Sequence, residues 1–199
     1  MKVGPKYKIA RRLGANVFDK TQTQKFAARA GDKKVFKKAG SDFSMQLLEK
    51  QKARVTYGLN ERQFKNLVEG LIAKKTANTA EAIIQALETR LDNAIYKLGF
   101  APTRQAARQV VNHGHIDLNG KRLTIPSHKV KIGDIISIRE SSQKKAIFNN
   151  LDEKMREVRV PSWLSLDAGK KQAKVQGLPK LAPNEISFDL SQIIQYYSK

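Results

Sequence analysis

The 199-residue chain contains no cysteine, a single tryptophan and few acidic residues. Without cysteine, disulfide bonds and thiolate metal sites are excluded. No apolar run approaches the roughly 18 residues of a transmembrane helix. The basic N-terminus is not followed by the apolar segment of a signal peptide. We therefore expect a soluble, intracellular protein of one large or two small domains, with no membrane partner.

Acidic residues are outnumbered two to one, with 18 Asp and Glu against 38 Lys and Arg, a net charge of +20. This excess disfavours a compact monomer, because like charges repel. It favours a polyanionic partner, because binding to phosphates releases condensed counterions. Half of the excess lies in residues 1–40, with 12 bases and two acids, whereas residues 41–88 hold seven bases and six acids. Residues 1–41 are therefore predicted to be a basic N-terminal arm before a balanced scaffold.

The arm lacks a sustained helical or strand pattern, which is typical of a disordered basic tail. It has more apolar residues than such a tail needs, so an arm that becomes ordered on a polyanion is the alternative. The apolar residues are Tyr7, Ile9, Leu13, Val17, Phe18, Phe26 and Phe36.

Residues 42–88 have the periodicity of a helical scaffold. A first helix begins near Asp42 and ends at Gly58, and a second begins at Asn60 with Gln63 in the capping-box position. The second helix carries apolar residues at i, i+3, i+4, i+7 and i+8, a pattern typical of a core-facing stripe: Phe64, Leu67, Val68, Leu71 and Ile72.

A third helix is predicted to be long, starting at the cap Asn78 with Glu81 in the reciprocal position and ending at Gly99. Its apolar residues recur at alternating spacings of three and four, and they indicate core rather than a cofactor site: Ile84, Leu87, Leu91, Ala94 and Leu98.

Residues 89–142 predict two helices followed by a small antiparallel sheet, so the chain as a whole is expected to be α+β. Thr103 is the predicted N-cap of the segment RQAARQVVNHG, and Gly114 suits its left-handed C-terminal position. Asn119-Gly120 is a strong hairpin signal. Gly133-Asp134 marks a second turn before IISI, which is predicted to be a buried strand.

The same region contains two pairs of basic residues. Arg104 and Arg108 are four residues apart and so share a helical face. Because that helix contains no acid, both are predicted to be available to an external anion. Lys121 and Arg122 directly follow the hairpin turn.

Residues 143–188 are predicted to be a helix and loop extension of this domain. KKAIFNNLDEKMREV has helical periodicity, and Trp163 marks irregular or strand-like structure. Asp189 is expected to cap a last helix whose apolar face needs a docking site. We therefore expect residues 189–199 to pack back on the scaffold.

No catalytic site and no cofactor are expected. His113 and His115 could be combined with Asp117 as metal ligands, but a turn histidine or a contact to the polyanion is the preferred interpretation. Arg90-Leu91-Asp92 is similar to a pseudouridine synthase signature, yet Asp92 lies on a helical pattern rather than in a turn. A structural role for Asp92 is favoured.

Residues 90–138 resemble the RNA-binding domain shared by ribosomal protein S4, some tRNA synthetases, pseudouridine synthases and a heat-shock ribosome-binding protein. The matching sequence is RLDNAIYKLGFAPTRQAARQVVNHGHIDLNGKRLTIPSHKVKIGDIISI. Other segments resemble the bacterial S4 family: GPKYKIARRLGANVF, SDFSMQLLEKQKARVTYGLNERQF, VPSWLSLDAG and QIIQYYSK. These matches occur in order along nearly the whole chain.

The resemblance implies a structural component of the small ribosomal subunit in the cytoplasm. It implies direct binding to 16S rRNA, nucleation of assembly of the 5′ domain, and a place near the mRNA entry channel beside other small-subunit proteins. Many family members hold zinc with four cysteines in the arm, but Ile9 and Arg12 stand in the region of the first pair here. No zinc is expected.

The candidate RNA-binding residues follow from these patterns and from the resemblance. An exposed lysine in the scaffold can equally be a solvated side chain, and an mRNA contact in the second half of the arm rests on the family alone. The candidates are Lys6, Lys8, Arg11, Arg12, Lys33, Lys34, Lys37, Lys38, Lys50, Lys52, Arg54, Arg104, Arg108, Lys121 and Arg122. The alternatives are an RNA-modifying enzyme, which would need a further catalytic domain, and a free translational regulator.

Overall fold

The computed structural model describes residues 4–14, 17–21, 23–24, 26, 40–149, 151, 155, 158–180 and 186–198. The chain divides into two units, the first formed by residues 1–83 and 181–199 and the second by residues 84–180. The candidates Lys33, Lys34, Lys37 and Lys38 lie outside the described residues, as does much of the helix predicted after residue 143.

The helices in these ranges are α1 (Lys6–Leu13), α2 (Asp42–Thr56), α3 (Glu61–Ile72), α4 (Thr79–Glu88), α5 (Leu91–Lys97), α6 (Arg104–Asn112), α7 (Glu140–Gln143) and α8 (Leu190–Tyr197). The strands are β1 (Ile116–Leu118), β2 (Lys121–Arg122), β3 (Ile135–Ile138), β4 (Leu164–Asp167) and β5 (Gln172–Val175), with 3₁₀ turns at Asp19–Thr21 and Ala146–Phe148. The α+β class is confirmed. Within the same ranges, no helix is both long and apolar enough to cross a membrane.

The predicted helix starts are confirmed by their capping hydrogen bonds. Each cap side chain accepts a backbone N–H that has no partner within its own helix. The bonds run from Gln63 N to Asn60 Oδ1 (2.7 Å), from Glu81 N to Asn78 Oδ1 (3.1 Å), from Ala106 N to Thr103 Oγ1 (3.1 Å) and from Ser191 N to Asp189 Oδ1 (2.7 Å).

The prediction of one long helix from Asn78 to Gly99 is wrong. The chain breaks between α4 and α5, where Arg90 is extended with φ −64° and ψ 137°. Thr89 O accepts a hydrogen bond from Val130 N, and Leu91 N donates to His128 O, both at 2.8 Å. At this point the backbone pairs with a segment that is distant in the sequence. The apolar residues keep their helical spacing across the break, so the spacing does not reveal that the helix is interrupted.

The five strands form one antiparallel sheet in the order β2-β1-β3-β5-β4. The hairpin at Asn119-Gly120 is confirmed, with φ values of 53° and 75° that fit a type I′ turn. Two expectations were incomplete. The predicted loop extension contributes the β4–β5 hairpin to the sheet, and β3 alternates instead of being buried throughout, with Ile135 42% exposed.

The core of the second unit lies between the sheet and helices α5 and α6. The inward residues of the strands alternate with solvent-facing ones, as a sheet covered on one face requires. Ala107, Val110 and Val111 form the apolar face of α6 and are fully buried. The 3₁₀ turn after α7 presents Phe148 to this core and leaves Ile147 52% exposed.

The last helix, α8, docks on α2 and α3 of the first unit. Ile193 is fully buried. Asp189 N donates to Glu49 Oε2 at 2.9 Å, and Tyr197 Oη donates to Glu61 Oε1 at 3.3 Å. The apolar face of α8 and its polar ends therefore specify the same position.

Replacing Ile193 by alanine should destabilise the protein by about 2–5 kcal/mol, because it leaves a cavity in a fully buried site. Urea unfolding at neutral pH would measure the change. Met45→Ala is the matched control, since Met45 lies on α2 and is 47% exposed. Equal losses for the two variants would contradict the docking of α8.

Candidate nucleic-acid interface

The second unit contains a buried carboxylate held by two arginines. Asp92, in the first turn of α5, is 2% exposed. Arg90 Nε donates to Asp92 Oδ1 at 3.0 Å and Arg90 Nη2 to Oδ2 at 2.9 Å. Arg108 of α6 donates to Oδ2 from Nε at 2.9 Å and from Nη2 at 2.6 Å. One anion thus fixes the guanidinium planes of two cations.

The neighbouring residue, Asn93, is also 2% exposed and holds the second arginine of α6. Its Nδ2 donates to Glu88 O at 3.0 Å and to Glu88 Oε2 at 2.9 Å. Its Oδ1 accepts from Arg104 Nε at 2.8 Å. The Arg104 guanidinium also lies 4.5 Å from the centre of the Tyr96 ring, a cation–π distance.

Arg104 and Arg108 were predicted to be available to an external anion because α6 contains no acid, and the structure shows that both have partners inside the unit. Their partners come from the adjacent helix α5, so a search for acids within α6 itself could not find them. Both side chains remain only partly buried, with Arg108 22% exposed. They present ordered rather than mobile positive charge.

Arg122 lies at the other end of α6. Its Nη2 is 3.5 Å from the carbonyl oxygen of His113, at the C-terminal end of the helix, where the helix dipole favours a cation. The guanidinium covers Gly114, and a Cβ on Gly114 would collide with it. Lys121 precedes it on β2, and both side chains are exposed.

Arg104, Arg108, Lys121 and Arg122 are spread along the whole length of α6, and we call them the row of bases. The helix has nine residues and is therefore about 13 Å long. Arg104 lies at its first position, Arg108 in its middle, and Arg122 at its end. Such spacing suits an extended anion that carries several phosphates better than a single small anion.

His115 is buried beside this row of bases. Its Nδ1 is 3.0 Å from Ser142 Oγ. Burial lowers the pKa of His115, and the electrostatic influence of the neighbouring Lys145, His113 and Arg122 lowers it further. Among the described residues no three His, Asp, Glu or Cys side chains gather as metal ligands would, so the sketched set of His113, His115 and Asp117 is not formed there.

The predicted bases of α2 make contacts inside the first unit. Lys50 has a 5% exposed side chain, and its Nζ is 2.5 Å from Glu61 Oε1 and 4.7 Å from the centre of the Tyr196 ring. Lys52 pairs with Glu49 at 2.6 Å, and Arg54 approaches Glu61 at 3.4 Å. Lys50 is thus used in folding, and its side chain offers almost no surface to RNA.

The candidate bases of α1 are more accessible. Lys8, Arg11 and Arg12 are exposed, and Lys6 is half-buried. Lys6 Nζ lies 5.8 Å from the centre of the Phe18 ring, and the Arg11 guanidinium lies 6.0 Å from that of Phe26. Apolar residues of the arm therefore order some of its cations within the described ranges.

Family comparisons cover both units. A model of the S4 domain matches residues 89–136, and a model of the ribosomal protein S4/S9 N-terminal domain matches residues 2–88. The small ribosomal subunit protein uS4 of Herpetosiphon aurantiacus is 40% identical over 207 residues, covering 98% of each chain. That of Aquifex aeolicus is 39% identical over 207 residues, covering 99% of this chain and 98% of its own. The chain belongs to the uS4 family.

The S4-domain match contains the row of bases along α6 together with Arg90, Asp92 and Asn93, which sequence reasoning did not select as site residues. The signal was present in the tetrapeptide Arg90-Leu91-Asp92-Asn93. The prediction of one long helix places this segment away from any helix start, so it gives Asp92 a structural role without identifying its arginine partners. In this uS4-family chain it opens a helix and is buried.

Gly114→Ala should displace Arg122 and strain the backbone, because Gly114 has φ +70° and its Cα is covered by the guanidinium. Gly120→Ala is the matched control, since Gly120 has φ +75° and open space around it. Each change should cost about 1–2 kcal/mol of backbone strain. Only Gly114→Ala should shift the NMR resonance of the Arg122 Nε–H group; an unchanged resonance would contradict the packing.

The lowered pKa of His115 predicts a loss of stability in mild acid. Below the ordinary histidine pKa of about 6.5, the unfolded chain binds a proton that the folded chain binds less readily. The free energy of unfolding should therefore be greatest above that pH and fall as the pH decreases towards the lowered folded value. Urea unfolding between pH 7.5 and pH 5 should show a smaller decrease for His115→Gln than for the natural chain. Equal decreases in the two proteins would contradict the prediction.

Proposed function

We propose that this chain is a structural component of the small ribosomal subunit that binds 16S rRNA directly and nucleates assembly of its 5′ domain. The row of bases along α6, within the matched S4 domain, is the observation that carries this proposal. Relatives that align over nearly their whole length are named as small ribosomal subunit proteins, which favours this role over that of an RNA-modifying enzyme.

The chemistry of the row suits folded RNA. Double-stranded RNA hides its base edges in a deep, narrow major groove, so proteins recognise its shape, its phosphates and its 2′-hydroxyl groups. Arginine is well suited to phosphate because its planar guanidinium can donate two parallel hydrogen bonds. In the second unit, we assign phosphate contacts to Arg104, Arg108, Lys121 and Arg122.

The first unit supplies a second group of contacts in this proposal. Lys6, Lys8, Arg11 and Arg12 of α1 carry positive charge that the described residues do not neutralise with a nearby acid. Lys52 and Arg54 are retained as weaker candidates because each already contacts an acid. Lys50 is omitted because of its burial.

The finer elements of the proposal rest on family resemblance. They are a position near the mRNA entry channel, contacts with neighbouring small-subunit proteins, and an arm without zinc in which Lys33, Lys34, Lys37 and Lys38 face the mRNA path. The role is structural rather than catalytic, and the ribosome is its proposed location. Sedimentation of cell extract through sucrose gradients tests the main claim: stoichiometric, salt-resistant presence in small subunits is expected, and recovery only at the top of the gradient would refute it.

Replacing Lys121 and Arg122 together by glutamine should weaken binding to a transcript of the 16S rRNA 5′ domain. The slope of log affinity against log salt should fall by about 1 unit per lost phosphate contact, because fewer counterions are released. Filter binding at several salt concentrations measures both quantities. Replacing Lys65 and Lys74 together by glutamine, which removes two exposed lysines outside the proposed set, controls for the change in net charge. An equal effect of the two variants would contradict the assignment.

A further inference from the structure

We infer that Asp92 and Asn93 are positioning residues, which hold Arg108 and Arg104 in their RNA-binding orientation before RNA arrives. The inference rests on the proposed function and extends it to residues that would not themselves contact RNA. Both are 2% exposed, whereas the arginines that they hold are partly exposed.

The hydrogen bonds of Asp92 fix the plane of Arg108. Asp92 Oδ2 accepts from both Nε and Nη2 of Arg108. Two donors on one acceptor leave little freedom of rotation at the end of the side chain. Arg90 occupies the other side of the carboxylate through Nε and Nη2, so Asp92 itself cannot turn away.

Asn93 fixes Arg104 by a different route. Its Nδ2 donates to two acceptors on Glu88, the backbone carbonyl and Oε2. These acceptors dictate which way the amide points, and its Oδ1 must therefore face Arg104. The Tyr96 ring holds the guanidinium from another direction.

A carboxylate within an RNA-binding face is electrostatically unfavourable for RNA, since it cancels one positive charge. We expect the Asp92 carboxylate to offset this electrostatic loss by reducing another free-energy cost of binding RNA. Immobilising a flexible arginine on RNA costs side-chain entropy, and an arginine that is already ordered avoids this cost. Preorganisation is therefore the benefit that sets Asp92 apart from an acid that only stabilises the fold.

Because Asp92 is negatively charged, the two possible roles predict different effects on RNA affinity when the charge is removed. Asp92→Asn keeps the shape of the side chain and raises the net charge by one. If Asp92 served only the fold, the folded variant would bind the 16S rRNA 5′ domain as tightly as the natural chain or more tightly. If it positions Arg108, binding should weaken roughly three- to tenfold, and the salt slope should not rise, despite the added charge.

The experiment compares full-length variants by filter binding, with circular dichroism to confirm that each is folded. Glu140→Gln is the matched control, because it makes the same change in charge at an exposed position of α7. NMR of the arginine Nε–H groups without RNA gives a second readout: exchange with water at Arg108 Nε should speed up in Asp92→Asn and stay slow in Glu140→Gln.

A double-mutant cycle assigns the effect to Arg108. In an Arg108→Gln background, Asp92→Asn should cause little further loss of affinity. Should Asp92→Asn prove unfolded, Asn93→Ala provides the same test for Arg104 without any change in charge. It should weaken RNA binding and speed up exchange at Arg104 Nε.

The outcomes separate the two levels of the proposal. Three results would each overturn the positioning role. The first is an RNA affinity of Asp92→Asn equal to that of Glu140→Gln, and the second is an undiminished loss of affinity when Asp92→Asn is made in the Arg108→Gln background. The third is slow exchange at Arg108 Nε in the Asp92→Asn variant. Failure of the natural chain to bind the 5′ domain would refute the proposed function. In that case the NMR readout would still decide whether Asp92 orders Arg108.

Discussion

The burial of the Asp92 carboxylate is the constraint on which the second unit depends. An unpaired buried charge is prohibitively costly, so Asp92 requires cationic partners with good geometry. Arg90 and Arg108 meet this need from two different elements. Arg90 reaches Asp92 from an extended position at the start of α5, and Arg108 brings in α6. The break after α4, the pairing of α5 with α6 and the row of bases therefore form one arrangement.

The positive charge of this chain serves several purposes, and the net value of +20 does not separate them. Lys50 and Arg90 are buried and pair with acids inside the protein, Lys50 with the exposed Glu61 and Arg90 with the buried Asp92. Arg122 remains on the surface of the second unit, ordered against the end of a helix. A base contributes to binding according to its exposure and its internal partner, and both depend on the fold.

Much of the local structure could be predicted from sequence because its causes are local. Asn60, Asn78, Thr103 and Asp189 cap helices through groups two or three residues away, and Asn119-Gly120 forms its turn from its own backbone preferences. The candidate site was only partly predictable: Arg104, Arg108, Lys121 and Arg122 were selected from their positions in the sequence, but the partners of the three arginines were not. Those partners lie on other elements, at separations that no periodicity encodes.

The sequence alone determined the α+β class, the caps, the hairpin and the preference for a polyanion, since these follow from side-chain chemistry and from patterns within a few residues. Tertiary structure decided where the long helical pattern breaks, which strands complete the sheet, and which basic residues pair with groups inside the protein. The physical reason is that burial and pairing are collective properties. Asp92 becomes a buried anion, and Lys50 a buried cation, only when distant segments close around them.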